Sequence, residues 1–310
     1  MEPISNRIRT RQGLVKIRQP AREIHEVTFA APVGTPAGLE VLSVAELRAR
    51  AAGNNALPSL VRLDFHHLFT LSSGSLRHTV DFTEYILEPG RWLWLRPGQV
   101  LQVGDHVRAE GTVILFDRDF PDPATTAAAR LDDTHSPVLL VPADEDTQPL
   151  CHASDQLYRE FRTKPPGLPE HVHIVVLRHL LAGLLLRLAY LTPGAGTSAA
   201  EPNETFLRFR DAVERDFART RRIEDYARAL GYSPRTLARA TLAATGIGAK
   251  EFIDRRVILD AKRLLAHDGR SASAIAARLG FSGAANFTKY FHQRTGQTPL
   301  AFRATVRGHR

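Results

Sequence analysis

One pattern occurs twice in the last hundred residues of this chain, and this repeat constrains the fold more than any other feature. The first copy occupies residues 223–246 and the second occupies residues 274–296. Each copy has an apolar-periodic segment that ends in Leu-Gly, then an aromatic residue and a serine, then a second segment that ends in Thr-Gly. A repeat at about fifty residues indicates that one supersecondary unit is built twice.

The punctuation inside each copy predicts two helices joined by a tight turn. Gly231 and Gly280 fall where a short helix must stop, and glycine adopts the left-handed backbone there without a Cβ clash. Ser233 and Ser282 are predicted to cap the following helix, and Pro234 suits its first turn. This is the helix-turn-helix design, whose second helix enters the major groove of DNA. The alternative is a plain bundle of helical hairpins.

The segment between the copies, residues 248–267, has apolar residues at helical spacing and predicts one connecting helix. A helix of about twenty residues is about 30 Å long. Major-groove faces on one side of B-DNA repeat about every 34 Å. Such a rod could hold two reading helices about one turn of DNA apart.

These segments resemble the AraC family of bacterial transcription regulators. The resemblance is carried by ALGYSPRTLAR in the first copy, by AKRLL at 261–265, by IAARLGFS at 275–282 and by FHQRTGQTPLAFR at 291–303. It covers about residues 205–305. It implies two helix-turn-helix units, 223–246 and 274–296, that read adjacent major grooves near promoters.

The resemblance also implies which side chains face DNA. The implied contacts are Ser233, Arg235, Thr236, Ala238 and Arg239 in the first unit, and Ser282, Ala284, Ala285, Asn286 and Lys289 in the second. Their chemistry fits, because arginine pairs with guanine and asparagine pairs with adenine in the major groove. The alanines lack hydrogen-bonding side chains, so they could only make apolar contacts. Between the reading positions, Leu237, Phe287 and Phe291 are predicted to face inward.

Charge is distributed unevenly along the chain. From Thr205 onward there are 21 Lys and Arg against 9 Asp and Glu, and the remainder has 20 against 24, within an overall net charge of +8. A basic domain beside a mildly acidic one is typical of nucleic-acid binding. A membrane-surface domain would instead need exposed aromatic residues, and the aromatics here fall at core spacings. Residues 1–20 are also basic and predict a disordered tail.

Residues 21–143 predict a mostly β domain, because short apolar runs alternate with turn signals. The predicted elements are a helix at Val44–Ala52 and strands at Phe65–Leu71, Arg77–Leu87, Arg91–Leu95 and Val113–Asp117. This order resembles the cupin-type barrel at the N-terminus of AraC-family regulators, which implies a pocket for a small-molecule effector.

The candidate effector-binding residues are Trp92, Trp94, His66 and His78. Two tryptophans on one face of a strand could line an apolar pocket, or they could be core. Three histidines, with His67 the third, could bind zinc. However, the chain has no His-x-His pair, and Gln99 stands after Pro-Gly, where cupin enzymes place a ligand. We therefore predict no metal and no cofactor.

Residues 144–191 predict two helices and residues 192–204 a linker rich in Gly, Pro and Ala. The apolar run at 172–191 contains Arg178 and Arg187, which are costly at the centre of a membrane, so it predicts a buried helix and no membrane span. The resemblance implies that this pair forms a homodimer interface. The alternative is that both helices pack only on their own barrel.

The predicted fold class is therefore α+β. It consists of a cupin-like β-barrel with a helical dimerisation hairpin, followed by an all-α domain, 205–310, with two helix-turn-helix units joined by a linker helix. A single cysteine, Cys151, and the lack of an apolar leader favour the cytoplasm. The predicted function is a non-enzymatic transcription regulator with double-stranded DNA, a small-molecule effector, a second copy and RNA polymerase as partners. The alternatives are a cupin-like metal enzyme and a regulator that needs no ligand.

Overall fold

The computed structural model describes residues 25–29, 36, 38–53, 60–104, 108–133, 136–190, 204–267 and 269–308. The predicted basic tail at 1–20 and most of the predicted linker at 192–204 lie outside these ranges.

The N-terminal part contains two sheets, each of five described strands. The strands are β1 His25–Val27, β2 Leu39–Ser43, β3 Val61–Leu63, β4 His66–Ser73, β5 Leu76–Val80, β6 Thr83–Leu87, β7 Trp92–Leu95, β8 Val100–Val103, β9 Glu110–Phe116 and β10 Leu139–Leu140. The first sheet has the order β1-β3-β8-β5-β6 and the second has the order β10-β7-β4-β9-β2. All pairs are antiparallel except β1 with β3.

Alternation along β4 sends side chains into two different cores. Phe69 and Leu71 enter a core that both sheets share, whereas Leu68 enters a core between the second sheet and two helices. The N-terminal part is thus a two-sheet β structure covered on one side by helices, which agrees with the predicted fold class.

One predicted strand is wrong. Residues 77–87 were expected to form a single strand, but they form the hairpin β5–β6 with Asp81 and Phe82 at its turn. Asp81 is a common turn residue, but Phe82 is not, and no glycine, asparagine or proline marks the turn in the sequence.

Four helices belong to this N-terminal part, namely α1 Val44–Gly53, α2 Pro123–Ala128, α3 Asp144–Arg162 and α4 Glu170–Tyr190. α3 and α4 cover the second sheet, and leucines on one side of α4 are fully buried there. The expectation that α4 is buried all round is wrong, because Val172, Val175 and Tyr190 are exposed. Within the described residues α4 alone is long and apolar enough to cross a membrane, but here it packs against the sheet.

The C-terminal part is helical. Its elements are α5 Glu204–Asp216, α6 Ile223–Leu230, α7 Pro234–Thr245, α8 Ala249–His267, α9 Ala272–Arg278, α10 Ala284–Thr295 and α11 Pro299–Gly308. The pairs α6–α7 and α9–α10 are the two predicted units, and α8 is the predicted connecting helix. The first half of α8 packs in the core of the first unit through Ile253 and Val257, and its second half packs in the core of the second unit through Ala261 and Leu265.

Candidate nucleic-acid interface

The turn of the first unit forms as the sequence predicts. Gly231 ends α6 with φ of 72°, in the left-handed region. The Oγ of Ser233 then accepts a hydrogen bond of 3.0 Å from the backbone N–H of Thr236, and Pro234 is the first residue of α7. The N-cap and the left-handed glycine together aim α7 away from α6.

The turn of the second unit is one residue longer, and one prediction about it is wrong. Gly280 has φ of 69° as expected, but the N-cap of α10 is Gly283 rather than Ser282. The extra residue moves Ser282 one position ahead of the cap. Its hydroxyl instead accepts a hydrogen bond of 2.8 Å from the side-chain amide of Asn286.

The outer face of α7 presents two arginines. Arg235 and Arg239 lie four residues apart and are exposed, and neither makes an ion pair with another described residue. Leu237, between them in sequence, is fully buried, as predicted. Both guanidinium groups are therefore free to reach a ligand outside the protein.

The outer face of α10 carries fewer donors. Lys289, Asn286 and Ala285 are exposed, and Phe287 and Phe291 are fully buried as predicted. At the predicted reading positions, α10 therefore offers one lysine and one amide that is already held by a neighbouring serine, against two arginines on α7.

A cation just before the first unit caps the turn of the second, a contact that the repeat pattern does not show. Arg221 donates hydrogen bonds to the backbone oxygens of Leu279 (2.8 Å) and Gly280 (3.0 Å) at the end of α9. Its guanidinium also lies 3.9 Å from the ring centre of Phe281. A cation at a helix C-terminus satisfies its orphan carbonyls and complements its dipole.

A second contact joins the start of α8 to α10. Asp254 accepts hydrogen bonds from Tyr290 Oη (2.6 Å), from Arg294 (2.7 Å) and from Lys250. Burial opposes its ionisation, but these hydrogen bonds outweigh burial and hold the pKa of the Asp254 carboxyl below its usual value. Burial, followed by the hydrogen bond to Asp254, raises the pKa of Tyr290. Because Arg221 and Asp254 both bind the second unit, α7 and α10 are carried by one rigid block.

Comparison with known proteins identifies the block. Residues 226–305 match a family of helix-turn-helix domains. The HTH-type transcriptional regulator RipA of Corynebacterium glutamicum is 38% identical over 80 residues, which are 26% of this chain and 24% of RipA. The regulatory protein PocR of Salmonella typhimurium is 34% identical over 85 residues, or 27% of this chain and 28% of PocR. The C-terminal part of this chain is similar to the helix-turn-helix domains of these regulators. We call residues 204–308 the AraC-type domain, after the family that its sequence resembles.

The chain spans about a quarter of the length of each of these relatives. Among solved structures, ToxT from Vibrio cholerae aligns with 86% of this chain and 98% of its own, with 12% identity and a TM-score of 0.42.

The four predicted effector residues, which precede the AraC-type domain, lie in two different places. Three lie between the second sheet and its covering helices, and the fourth lies in the core between the two sheets. Trp92, Trp94 and His66 face α3 and α4, where the Trp94 indole N–H donates to His66 Nδ1 (3.3 Å). His78 lies on the other side, against Phe69 in the core shared by the sheets. These residues therefore do not line one common cavity.

The neighbouring His67, which is not among the predicted effector residues, is also buried. It lies between the rings of Phe65 and Phe69, with centroid distances of 4.6 and 5.9 Å. Neither ring nitrogen has a hydrogen-bond partner among the described residues. Burial, reinforced by the charge of His78, lowers the pKa of His67 to about 3. Across the sheet, burial and the charge of Arg96 lower the pKa of His66 to about 3.

Among the residues that the structure describes, no three His, Cys, Asp or Glu side chains converge in a way that could hold an ion.

Proposed function

We propose that this protein is a sequence-specific, DNA-binding transcription regulator that acts in the cytoplasm. The observation that carries the proposal is the pair Arg235 and Arg239, which are exposed on the second helix of the first helix-turn-helix unit and form no ion pair with any residue that the structure describes. The strongly basic charge of this domain would attract DNA and hold it by phosphate contacts. The relatives that it matches are named as regulators, which supports a role other than catalysis.

In this proposal the two reading helices play unequal parts. α7 supplies two guanidinium groups, each able to donate a bidentate pair to guanine O6 and N7. α10 supplies Asn286 and Lys289, and the remaining positions contribute apolar or phosphate contacts. α8 has 19 residues and is therefore about 28 Å long. This length is close to the distance between successive major-groove faces on one side of B-DNA, so α7 and α10 could enter the groove one helical turn apart. The bound protein would then contact RNA polymerase at the promoter.

The decisive experiment is selection of bound sequences from random duplex DNA with the full-length protein at two salt concentrations. We expect two short motifs about one helical turn apart, with the stronger preference under α7. Specific base contacts keep a motif enriched at the higher salt, whereas phosphate contacts alone do not. Enrichment that vanishes with salt and shows no motif would overturn sequence-specific recognition.

We further propose that the exposed side of α4 is the surface on which two copies pair. Val172 and Val175 near the start of α4 and Tyr190 at its end are exposed apolar side chains, whereas the opposite side of the helix is packed in the core. Exposed apolar side chains that come together in a patch mark protein interfaces. Introducing a charge with Val175→Glu should separate the copies, as measured by sedimentation velocity. Val141→Glu, at another exposed valine outside α4, is the matched control. If Val175→Glu leaves the mass unchanged, α4 is not the interface.

A small-molecule effector is the last part of the proposal. His67 and His78 face the core between the two sheets. Of the two, His67 has no hydrogen-bond partner among the described residues, and a buried imidazole without a partner is destabilising until a polar group reaches it. A ligand that donates to or accepts from His67 would supply that partner. A thermal-shift screen should find compounds that stabilise the wild type but not His67→Gln, and metal analysis of the same preparation tests the rival metal enzyme. Compounds that stabilise both proteins equally would place the ligand elsewhere.

A further inference from the structure

The turn between β5 and β6 has an unfavourable sequence for its shape. Asp81 and Phe82 are its only two residues, and both have positive φ, 48° and 68°. A two-residue turn with this geometry prefers Asn or Asp followed by Gly. Asp81 therefore suits its position, whereas the bulky side chain of Phe82 fits the left-handed region poorly. Strained residues of this kind persist where the surrounding structure needs their side chains.

Asp81 lies at the boundary between the two parts of the chain. Each of its carboxylate oxygens accepts one hydrogen bond from the AraC-type domain and one from the N-terminal part. From the AraC-type domain, Arg263 donates from Nε to Oδ1 (2.8 Å) and from Nη2 to Oδ2 (2.7 Å). From the N-terminal part, the backbone N–H of Val100 donates to Oδ1 (3.1 Å) and the side chain of Gln99 donates to Oδ2 (3.0 Å). The two charged side chains are only 12% and 8% exposed. A paired arginine and carboxylate of this kind fixes direction as well as distance.

Phe82 closes the same boundary with an apolar contact. Its ring packs edge-on against Phe302 of α11, with centroids 5.1 Å apart. It also packs against the core of the second unit, as Val306 does. Beside it, Leu60 and Val100 pack on Ala266 of α8. The ion pair is thereby shielded from water on one side.

A second ion pair joins the same two parts at a different place. Arg210 of α5 donates to Asp133 over 2.6 Å, and the side chains are 15% and 11% exposed. In both pairs the N-terminal part supplies the aspartate and the AraC-type domain supplies the arginine. Because two separated contacts define an orientation, the AraC-type domain is docked on the N-terminal part in one position, which we call its seat.

We propose that the Asp81–Phe82 turn is a docking element that holds the AraC-type domain in one orientation on the N-terminal part, and that Asp81, Phe82 and Arg263 thereby select which arrangements of DNA sites the paired protein accepts. This inference rests on the proposed function. If α4 joins two copies, the seat at Asp81 fixes where each copy's α7 and α10 lie relative to the other copy. Pairs of sites with the matching spacing and direction are then bound together, and others are bound by one copy alone.

The test uses a variant that should strengthen the hairpin while it removes the docking side chains. Asp81→Asn with Phe82→Gly creates the preferred turn pair, so loss of folding is not expected. Arg263→Met removes the same ion pair from the other side. Asp119→Asn, at an exposed aspartate of the N-terminal part, is the charge-matched control.

Full-length wild type and variants are titrated with a duplex that carries one selected site and with duplexes that carry two sites in every spacing and direction. We expect single-site affinity to stay within about threefold for all proteins. The wild type and the control should prefer one two-site arrangement by at least about a hundredfold, since simultaneous binding raises the effective concentration only where the geometry allows it. Both docking variants should lose at least about tenfold of that preference. Variants that keep the wild-type preference, or a wild type indifferent to arrangement, would overturn the proposal.

Small-angle scattering of the same proteins without DNA separates this inference from the proposed function. If the wild type binds no specific site but is compact, while the docking variants are extended, the proposed function fails and the seat stands. If wild type and variants have the same radius of gyration, the turn does not hold the domain and the inference fails, whatever the DNA results.

Discussion

The two turn glycines offer a matched pair of substitutions with different expected effects. Gly231 and Gly280 have nearly equal φ, 72° and 69°. A Cβ at Gly231 would meet no atom within 4 Å, whereas a Cβ at Gly280 would lie 2.0 Å from the backbone oxygen of Ala218. Left-handed strain is thus common to both alanine variants, at about 1–2 kcal/mol. The clash is confined to Gly280→Ala, and overpacking adds about 1–3 kcal/mol.

We therefore expect a loss of unfolding free energy of about 1–2 kcal/mol for Gly231→Ala and about 2–5 kcal/mol for Gly280→Ala. Denaturant unfolding followed by far-ultraviolet circular dichroism reports mainly on the helical domain. The only two tryptophans, Trp92 and Trp94, lie in the N-terminal part, so their fluorescence is an internal control that should change little. Equal losses for the two variants would refute the reasoning, because they would show that the loop at Ala218 gives way without resistance.

Three further outcomes follow from the structure. Arg239→Ala should lose about 1–3 kcal/mol of binding free energy at the selected site and much less on random DNA. The control Arg208→Ala, at an exposed arginine of α5, should lose little binding free energy on either DNA. Equal losses for Arg239→Ala on both DNAs would show that Arg239 contacts phosphate. Tyr290→Phe removes one of three donors to Asp254 and should lower the unfolding free energy by about 0.5–1.5 kcal/mol, measured by denaturation; an unchanged value would mean that the hydroxyl does not support the block. The pKa of His67 is about 3 in the folded chain and about 6.5 when unfolded, so the unfolded chain binds this proton first and stability falls as the pH drops through that window. Between about pH 7.5 and pH 5 the N-terminal part should lose roughly 2 kcal/mol from this residue. Tryptophan fluorescence of His67→Gln should show that much less acid sensitivity; equal sensitivity would place the titration at other groups.

The helical domain could be predicted well because its signals are local. A glycine in the left-handed region, a serine cap and a proline at the first helical position act within a few residues of one another. The same holds for Leu237 and Phe287, whose inward direction follows from helical spacing alone. Even there, one additional residue before α10 makes Gly283 the N-cap, so the prediction that Ser282 caps α10 is wrong.

Other features depend on contacts between distant segments. Nothing near Arg221 in sequence indicates that it caps a helix about sixty residues later. The hairpin at Asp81 and Phe82 has no glycine, asparagine or proline to mark it, and its turn residues contact the distant AraC-type domain. Alternation correctly placed Trp92 and Trp94 on one face, but it could not show that this face lies under α3 and α4 rather than in the core between the sheets.

α8 contributes its first half to one hydrophobic core and its second half to the other. The two helix-turn-helix units therefore have one structural helix in common. Neither unit keeps a complete core if the chain is cut within α8. Although the sequence looks like a duplicated cassette, the domain should therefore unfold in a single cooperative step. It should also pass between proteins by recombination only as a whole, so that chimaeras joined before α5 would be viable where chimaeras joined inside α8 would not.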